Sequence, residues 1–261
     1  MNLDLYTVYD LPVPYKTIKI YPVLVKDYAP FFTYSECLTL DKNSIPDPRI
    51  ISMSYLEYLF FCTKNDINNT PYLLWLDRLL GICLKDDRSF DSIEESIKRY
   101  NYDEKGKPYI QIGEDLFYAS DFEDIKKIIC EQNMIELVDE NIQKEVRDSL
   151  EKARAYKEKL SGTKAGSFED YIISISVTTG WSFEYVYNMS VRKFTKSIRR
   201  LDNLIHYKIY LSATMSGMVE FKDKSFIKHW LTDLDSDSKF GDVEMNLDDV
   251  ANKVSLESAK T

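Results

Sequence analysis

Few residues in this chain have the types and spacing that chemistry needs. It holds two histidines, His206 and His229. Neither belongs to an H-x-x-x-H pair or lies beside a cysteine, the arrangements that hold zinc or activate a nucleophile. Cys37, Cys62, Cys83 and Cys130 are far apart, have apolar neighbours and form no C-x-x-C. They read as reduced, buried thiols ahead of a disulfide framework or a metal site. No Gly-rich phosphate loop, G-x-S-x-G, H-E-x-x-H or dinucleotide fingerprint occurs. With 43 Asp and Glu residues, carboxylate pairs are everywhere, and spacing does not separate a working pair from solvated charge. One acidic run has metal-like spacing. Asp233, Asp235, Asp237 and Glu244 fall at the first, third, fifth and twelfth places of an EF-hand-like loop. Ser238 stands where that loop needs glycine, and no second loop pairs with it, so a charged tail is the first reading and calcium the weaker one. The expectation is a non-enzymatic protein with no catalytic residue, metal or cofactor. An uncharacterised enzyme or a nucleic-acid-binding protein is the alternative.

Residues suited to binding are easier to find. Arg192, Lys193, Lys196, Arg199 and Arg200 make a basic strip at helical spacing. The net charge is −9, which argues against nucleic acid or anionic lipid as partners and for a solvated face or an acidic protein partner. Tyr185, Tyr187, Met189, Tyr207, Tyr210, Met215 and Met218 have the side chains of an adaptable groove for an apolar helix. The competing reading makes them this region's own core.

The elements that would position these residues follow from pattern. Glycine and proline number 8 each in 261 residues, which favours helices joined by short links. The fold class expected is mainly α with a small β component. KTIKIYPV alternates like a half-buried strand, and Pro12, Pro14 and Pro22 keep it at an edge or in a short pairing. A helix from Lys26 to about Leu40 would turn Tyr28, Phe31, Phe32 and Leu38 inward, with Pro30 in its first turn. Ile50, Ile51, Leu56, Leu59 and Phe60 make the next stripe. In NNTPYLLWLDRLLGICLKDD, Thr70 is the expected N-cap, Pro71 the first helical residue, and Leu73, Leu76, Leu80 and Cys83 the centre of the first core. This apolar segment is too short and too charged to span a membrane.

DSIEESIKRY reads as a short polar helix and KPYIQIGEDLFY as a hairpin turning at Gly113-Glu114. Ser120 and Glu123 form a capping box for a helix with Phe122, Ile125 and Ile129 on one face. Residues 139–160 read as a long charged helix and SGTKAG as a boundary. Ser167, Ser182 and Ser190 cap three helices, of which the third runs to about Met215. Four regions result: 1–105 with strands and helices, 106–160 with the hairpin and long helix, a helical region at 167–230, and an acidic, partly disordered tail at 231–261. The N-terminus lacks the pattern of a signal peptide.

Two stretches resemble a known group. DLPVPYKTIKIYPVLVKDYAPF is similar to the opening of baseplate-hub assembly proteins of large contractile-tailed phages, where a short strand leads into a "VKE"-like helix start. GWSFEYVYNMSVRKFTKSIRRL resembles a "G-W-x-x-E-Y-I-x-N-M-x-x-x-x-F" stretch of phage tail assembly chaperones and related hub proteins, with Gly180, Trp181, Glu184, Tyr185, Val186, Asn188, Met189 and Phe194 at the matching positions. The resemblance implies a factor of the host cytoplasm, or of the virion tail, that binds other phage tail proteins such as the tape measure or hub. It implies neither nucleic acid nor membrane as partner and is compatible with an oligomer. The residues assigned to partner binding are Trp181, Tyr185, Tyr187, Met189, Arg192, Lys196, Arg199, Tyr210 and Met218.

Overall fold

Alternation of Ile18 and Ile20 with polar neighbours produces a strand, but a very short one. In the computed structural model, which describes residues 3–42, 45, 47–86, 92–137, 152, 166–217 and 229–232, helix α1 (Leu3–Val8) precedes β1 (Val13–Tyr15) and β2 (Ile18–Ile20). The two strands pair antiparallel with Val13 opposite Ile20 and Tyr15 opposite Ile18. Val13 and Ile20 are fully buried on the inner face. Lys16 takes a left-handed φ of 51° to close the turn. The flanking prolines, which cannot donate to a ladder, limit the pairing to these three residues.

Helix α2 (Tyr28–Ser35) carries Pro30 in its first turn and passes into a 3-10 turn at Glu36–Leu38. Phe31 and Leu38 are buried, as the spacing predicts, whereas Phe32 is exposed and lies against Tyr28 with ring centroids 5.7 Å apart. Adjacent helical residues point about 100° apart, so Phe31 and Phe32 cannot both face one core. The one-turn helix α3 (Pro48–Ile51) is capped by Asp47, which accepts from the Arg49 N–H at 2.9 Å. It ends too soon to bury Ile51, which is exposed. A second start follows at α4 (Tyr55–Lys64), where Ser54 and Glu57 each accept from the other's backbone N–H, at 3.3 Å and 2.7 Å.

The centre of the first core is α5 (Tyr72–Leu84), with Leu76, Leu79, Leu80 and Cys83 almost wholly out of solvent. Full burial of each leucine contributes roughly 1.5–3 kcal/mol. Its N-cap is Pro71, and the Thr70 hydroxyl donates instead to the Asn68 carbonyl at 3.1 Å. Asp66, Asn68 and Asn69 all take left-handed φ, so the chain turns sharply there and draws Thr70 away from the helix end. The polar helix expected at 91–100 is also corrected. After a 3-10 turn at Ile93–Glu95 the chain enters β3 (Lys98–Tyr102), the outer strand of an antiparallel sheet with β4 (Pro108–Ile112) and β5 (Asp115–Phe117). Tyr100 pairs with Ile110, and Ile110 with Phe117. Backbone pairing and the burial of Lys98 override the local helical preference. The β4–β5 turn is at Gly113, whose φ of 63° suits glycine.

Helix α6 (Ala119–Asn133) starts earlier than Ser120 and Glu123 suggest. Its first turn is closed by Asp121, whose carboxylate accepts from the Tyr118 N–H at 3.0 Å. Phe122, Ile125 and Ile129 are buried on one face. The last helices are α7 (Phe168–Thr179), α8 (Phe183–Tyr187) and α9 (Val191–Met215). The fold is therefore mainly α with two small antiparallel sheets among the described residues. The chain divides into two units, one of Met1–Asn141 with Glu169–Ile198, the other of Ile142–Phe168 with Arg199–Thr261. In the second, the Arg200 guanidinium donates to the backbone carbonyls of Trp230 and Thr232, and Tyr207 meets His229 edge-on at 5.1 Å. The long charged helix, the acidic tail and the calcium-like loop fall outside the described residues.

Candidate functional site

Three capping devices shape the stretch around α8. Gly180 ends α7 with φ 77°, its N–H donating to the Ser176 carbonyl at 2.9 Å. Ser182 is extended, and its hydroxyl accepts from the Tyr185 N–H at 3.2 Å, which opens α8. Ser190 accepts from the Lys193 N–H at 3.2 Å and opens α9. The same Ser190 hydroxyl donates to Asp10 at 2.8 Å, and Lys193 pairs with the other oxygen of that carboxylate at 2.8 Å.

This stretch is also stitched to the segment that follows β2 in its unit. The Val25 N–H donates to the Met189 carbonyl and the Val191 N–H to the Val23 carbonyl, both at 2.9 Å, around a bridge between Leu24 and Ser190. The Lys26 ammonium donates to the Asn188 side-chain oxygen at 3.2 Å, and the Arg192 guanidinium to the Glu131 carbonyl at 2.9 Å. Val186 is fully buried beneath α8. A five-residue helix is thus held on both sides and from below.

What this frame presents is a set of exposed rings. Trp181 is 37% exposed and Tyr185 56%, and they meet edge-on at 5.3 Å. Phe183 is 48% exposed and Tyr187 42%, stacked at 6.5 Å. On α7, Ile173 and Val177 are one turn apart and exposed. Rings of this size are normally covered, which makes the cluster a candidate interaction surface. Lys26, Glu184, Tyr187 and Asn188 line an open cleft of about 590 Å³ at one flank.

Of the residues singled out for partner binding, Trp181, Tyr185 and Tyr187 come together here. Met189 is buried and supports the surface from beneath. Arg192 is tied to Glu131, and Lys196 is engaged within the chain. Arg199 is exposed, Tyr210 lies 6.1 Å from His206 between ring centroids, and both belong to the part of α9 assigned to the second unit. Met218 is outside the described residues. Phe183, Ile173 and Val177 had not been singled out. The signal was available, because Phe183 stands one helical turn before Tyr187 and Ile173 one turn before Val177.

A second concentration of ionisable groups lies inside the first unit. Asp77, on the buried side of α5, accepts from the Tyr100 hydroxyl at 3.1 Å and from the Ser96 hydroxyl. The Lys98 ammonium is 3.5 Å from Asp77 and 3.4 Å from Asp86. Asp77 and Lys98 are wholly buried, and the Asp77 Oδ2 has no hydrogen-bond partner. Burial, with the adjacent Asp77 charge, pushes the Tyr100 phenol well above its ordinary value. This network joins α5 to the three-stranded sheet. The four cysteines are free and buried. Among the described residues no group of His, Cys, Asp or Glu could hold a metal ion, and no helix is long and apolar enough to cross a membrane.

Comparison with known proteins adds one finding. The family model of the YomV second domain, a phage-derived family, matches residues 161–235, which include α7, α8 and α9. No curated protein matches, and no solved structure does. The matched segment contains the whole ring cluster, and its phage origin agrees with the phage character of the G-W-x-x-E-Y resemblance.

Proposed function

We propose that this chain is a non-enzymatic bacteriophage tail or baseplate assembly protein that holds apolar segments of other tail proteins, tape measure or hub, on the α7–α8 surface. One observation carries the reading: two exposed ring pairs stand on a turn that caps, a backbone bridge and buried Val186 hold in place. Binding would remove those rings from water, and release would follow when final assembly contacts cover the partner's apolar face better. Support also comes from the location of the rings within the segment that a phage-derived family model matches. The protein would act in the host cytoplasm, where tails are built.

The test is co-expression with the tape-measure or hub protein of the same phage. Trp181→Ala with Tyr185→Ala removes exposed rings and should change stability by less than about 1 kcal/mol, while co-purification of the tail protein falls at least about tenfold, or about 1.4 kcal/mol. Unchanged capture by a folded double variant would sink the proposal. Mass spectrometry of purified particles distinguishes the transient helper from a permanent part. Presence at fixed stoichiometry would make the protein a tail component.

A further inference from the structure

The chemistry of the partner can be read from what surrounds the rings, given the docking reading above. Residues 166–190 include Glu169, Asp170 and Glu184 and contain no Lys, Arg or His. Glu169 and Glu184 are exposed, and neither has a side-chain ion pair among the described residues. The geometry of α8 places Glu184 in the middle of the surface. With 3.6 residues per turn, the side opposite buried Val186 belongs to Glu184, one flank to Tyr185, against which the Trp181 ring lies, and the other to Phe183 and Tyr187. A carboxylate therefore stands outward between two ring pairs. The cation of the adjoining cleft, Lys26, is directed to the Asn188 oxygen at 3.2 Å.

Each class of occupant meets this arrangement differently. An acidic helix would bring like charge against Glu184. A wholly apolar helix would cover that carboxylate and leave it without a partner, which is costly. A helix with Lys or Arg beside its apolar stripe meets the carboxylate with an opposite charge and the ring faces with a cation, and its stripe covers the exposed rings. We infer that the α7–α8 surface takes an amphipathic helix whose apolar stripe is edged by Lys or Arg.

Two helical peptides of matched length test this, one of leucine and lysine, the other of leucine and glutamate, titrated against the full chain while Trp181 fluorescence is followed. Two pairs of neutralising substitutions separate local from overall charge, Glu169→Gln with Glu184→Gln, and Glu104→Gln with Glu114→Gln on the β-hairpins. The expected result is binding of the lysine peptide alone, weakened about tenfold by the first pair and less than about twofold by the second. Equal binding of both peptides, or equal effects of the two pairs, would overturn the inferred partner chemistry and leave docking at the rings intact. Binding of neither peptide, with unchanged tail-protein capture by Trp181→Ala and Tyr185→Ala, would overturn both. A concentration-dependent dimer in sedimentation, abolished by Tyr185→Ala, would assign the surface to a second copy of this chain and overturn the inference.

Discussion

At the residue scale the most demanding feature is the wholly buried Asp77 and Lys98, which sit in the α5–β3 contact where a leucine and a methionine would pack more cheaply. Two charges removed from water are tolerated only when each satisfies the other, and Ser96 and Tyr100 supply further hydrogen bonds to the carboxylate. Removing one partner is therefore worse than removing both. Lys98→Met should cost about 3–5 kcal/mol in urea unfolding, because it strands the Asp77 charge. Asp77→Leu combined with Lys98→Met should recover most of that loss, less a part owed to Asp86, which Lys98 also serves at 3.4 Å. Additive losses in the double variant would show that the pair is not coupled.

At the scale of elements, the tie between the β1–β2 hairpin and the start of α6 converges on Asp121. The Lys16 ammonium lies 2.7 Å from its carboxylate, the Tyr15 hydroxyl donates at 3.1 Å and the Tyr118 N–H at 3.0 Å. Partial burial alone would raise its pKa, but these donors outweigh it and hold the group below the usual aspartate range. A depressed folded-state value means stability that is complete above the unfolded pKa and lost as pH falls through the folded one. Asp121→Asn should lower the melting temperature at neutral pH and flatten its decline below about pH 4. Parallel curves for the two proteins would refute the assignment.

Much at this scale was legible in the chain. Ser182 and Ser190 foretold the starts of α8 and α9 because caps are local chemistry, and Gly113 foretold its turn for the same reason. Thr70 and Glu123 misled because close neighbours took over their role, the left-handed residues just before Thr70 and the Asp121 carboxylate at the start of α6, whereas residues 91–100 misled because pairing with β4 decided them. The ring cluster was half legible. Composition identified Trp181, Tyr185 and Tyr187, but a stripe of such residues reads equally as core, and only the burial of Val186 and Met189 shows which side faces out.

At the scale of the whole molecule, reactivity follows burial. Apolar surroundings push the Cys130 thiol up to about 12 and the Cys37, Cys62 and Cys83 thiols upward as well, so almost no thiolate exists near neutral pH. A disulfide reagent should label none of the four in native buffer within the time that labels all four in urea. Rapid native labelling of even one thiol would show that the packing around it opens readily.

The bridge between Leu24 and Ser190 has a consequence for synthesis. Lys26 and Asn188, which meet beside it, are 162 positions apart in the chain. A nascent polypeptide leaving the ribosome carries Val23 and Val25 with their backbone groups still facing water until the Met189 segment emerges to cover them. Closure of this long loop makes the first unit a late assembler, since nonlocal contacts follow the loops that precede them. The aromatic turn thus reaches its exposed, fixed position only at the step that completes the unit. A chain stopped short of residue 189 would carry the rings without the bridge that fixes them and would leave the Val23 and Val25 backbone groups uncovered, a site where incomplete copies could pair with one another.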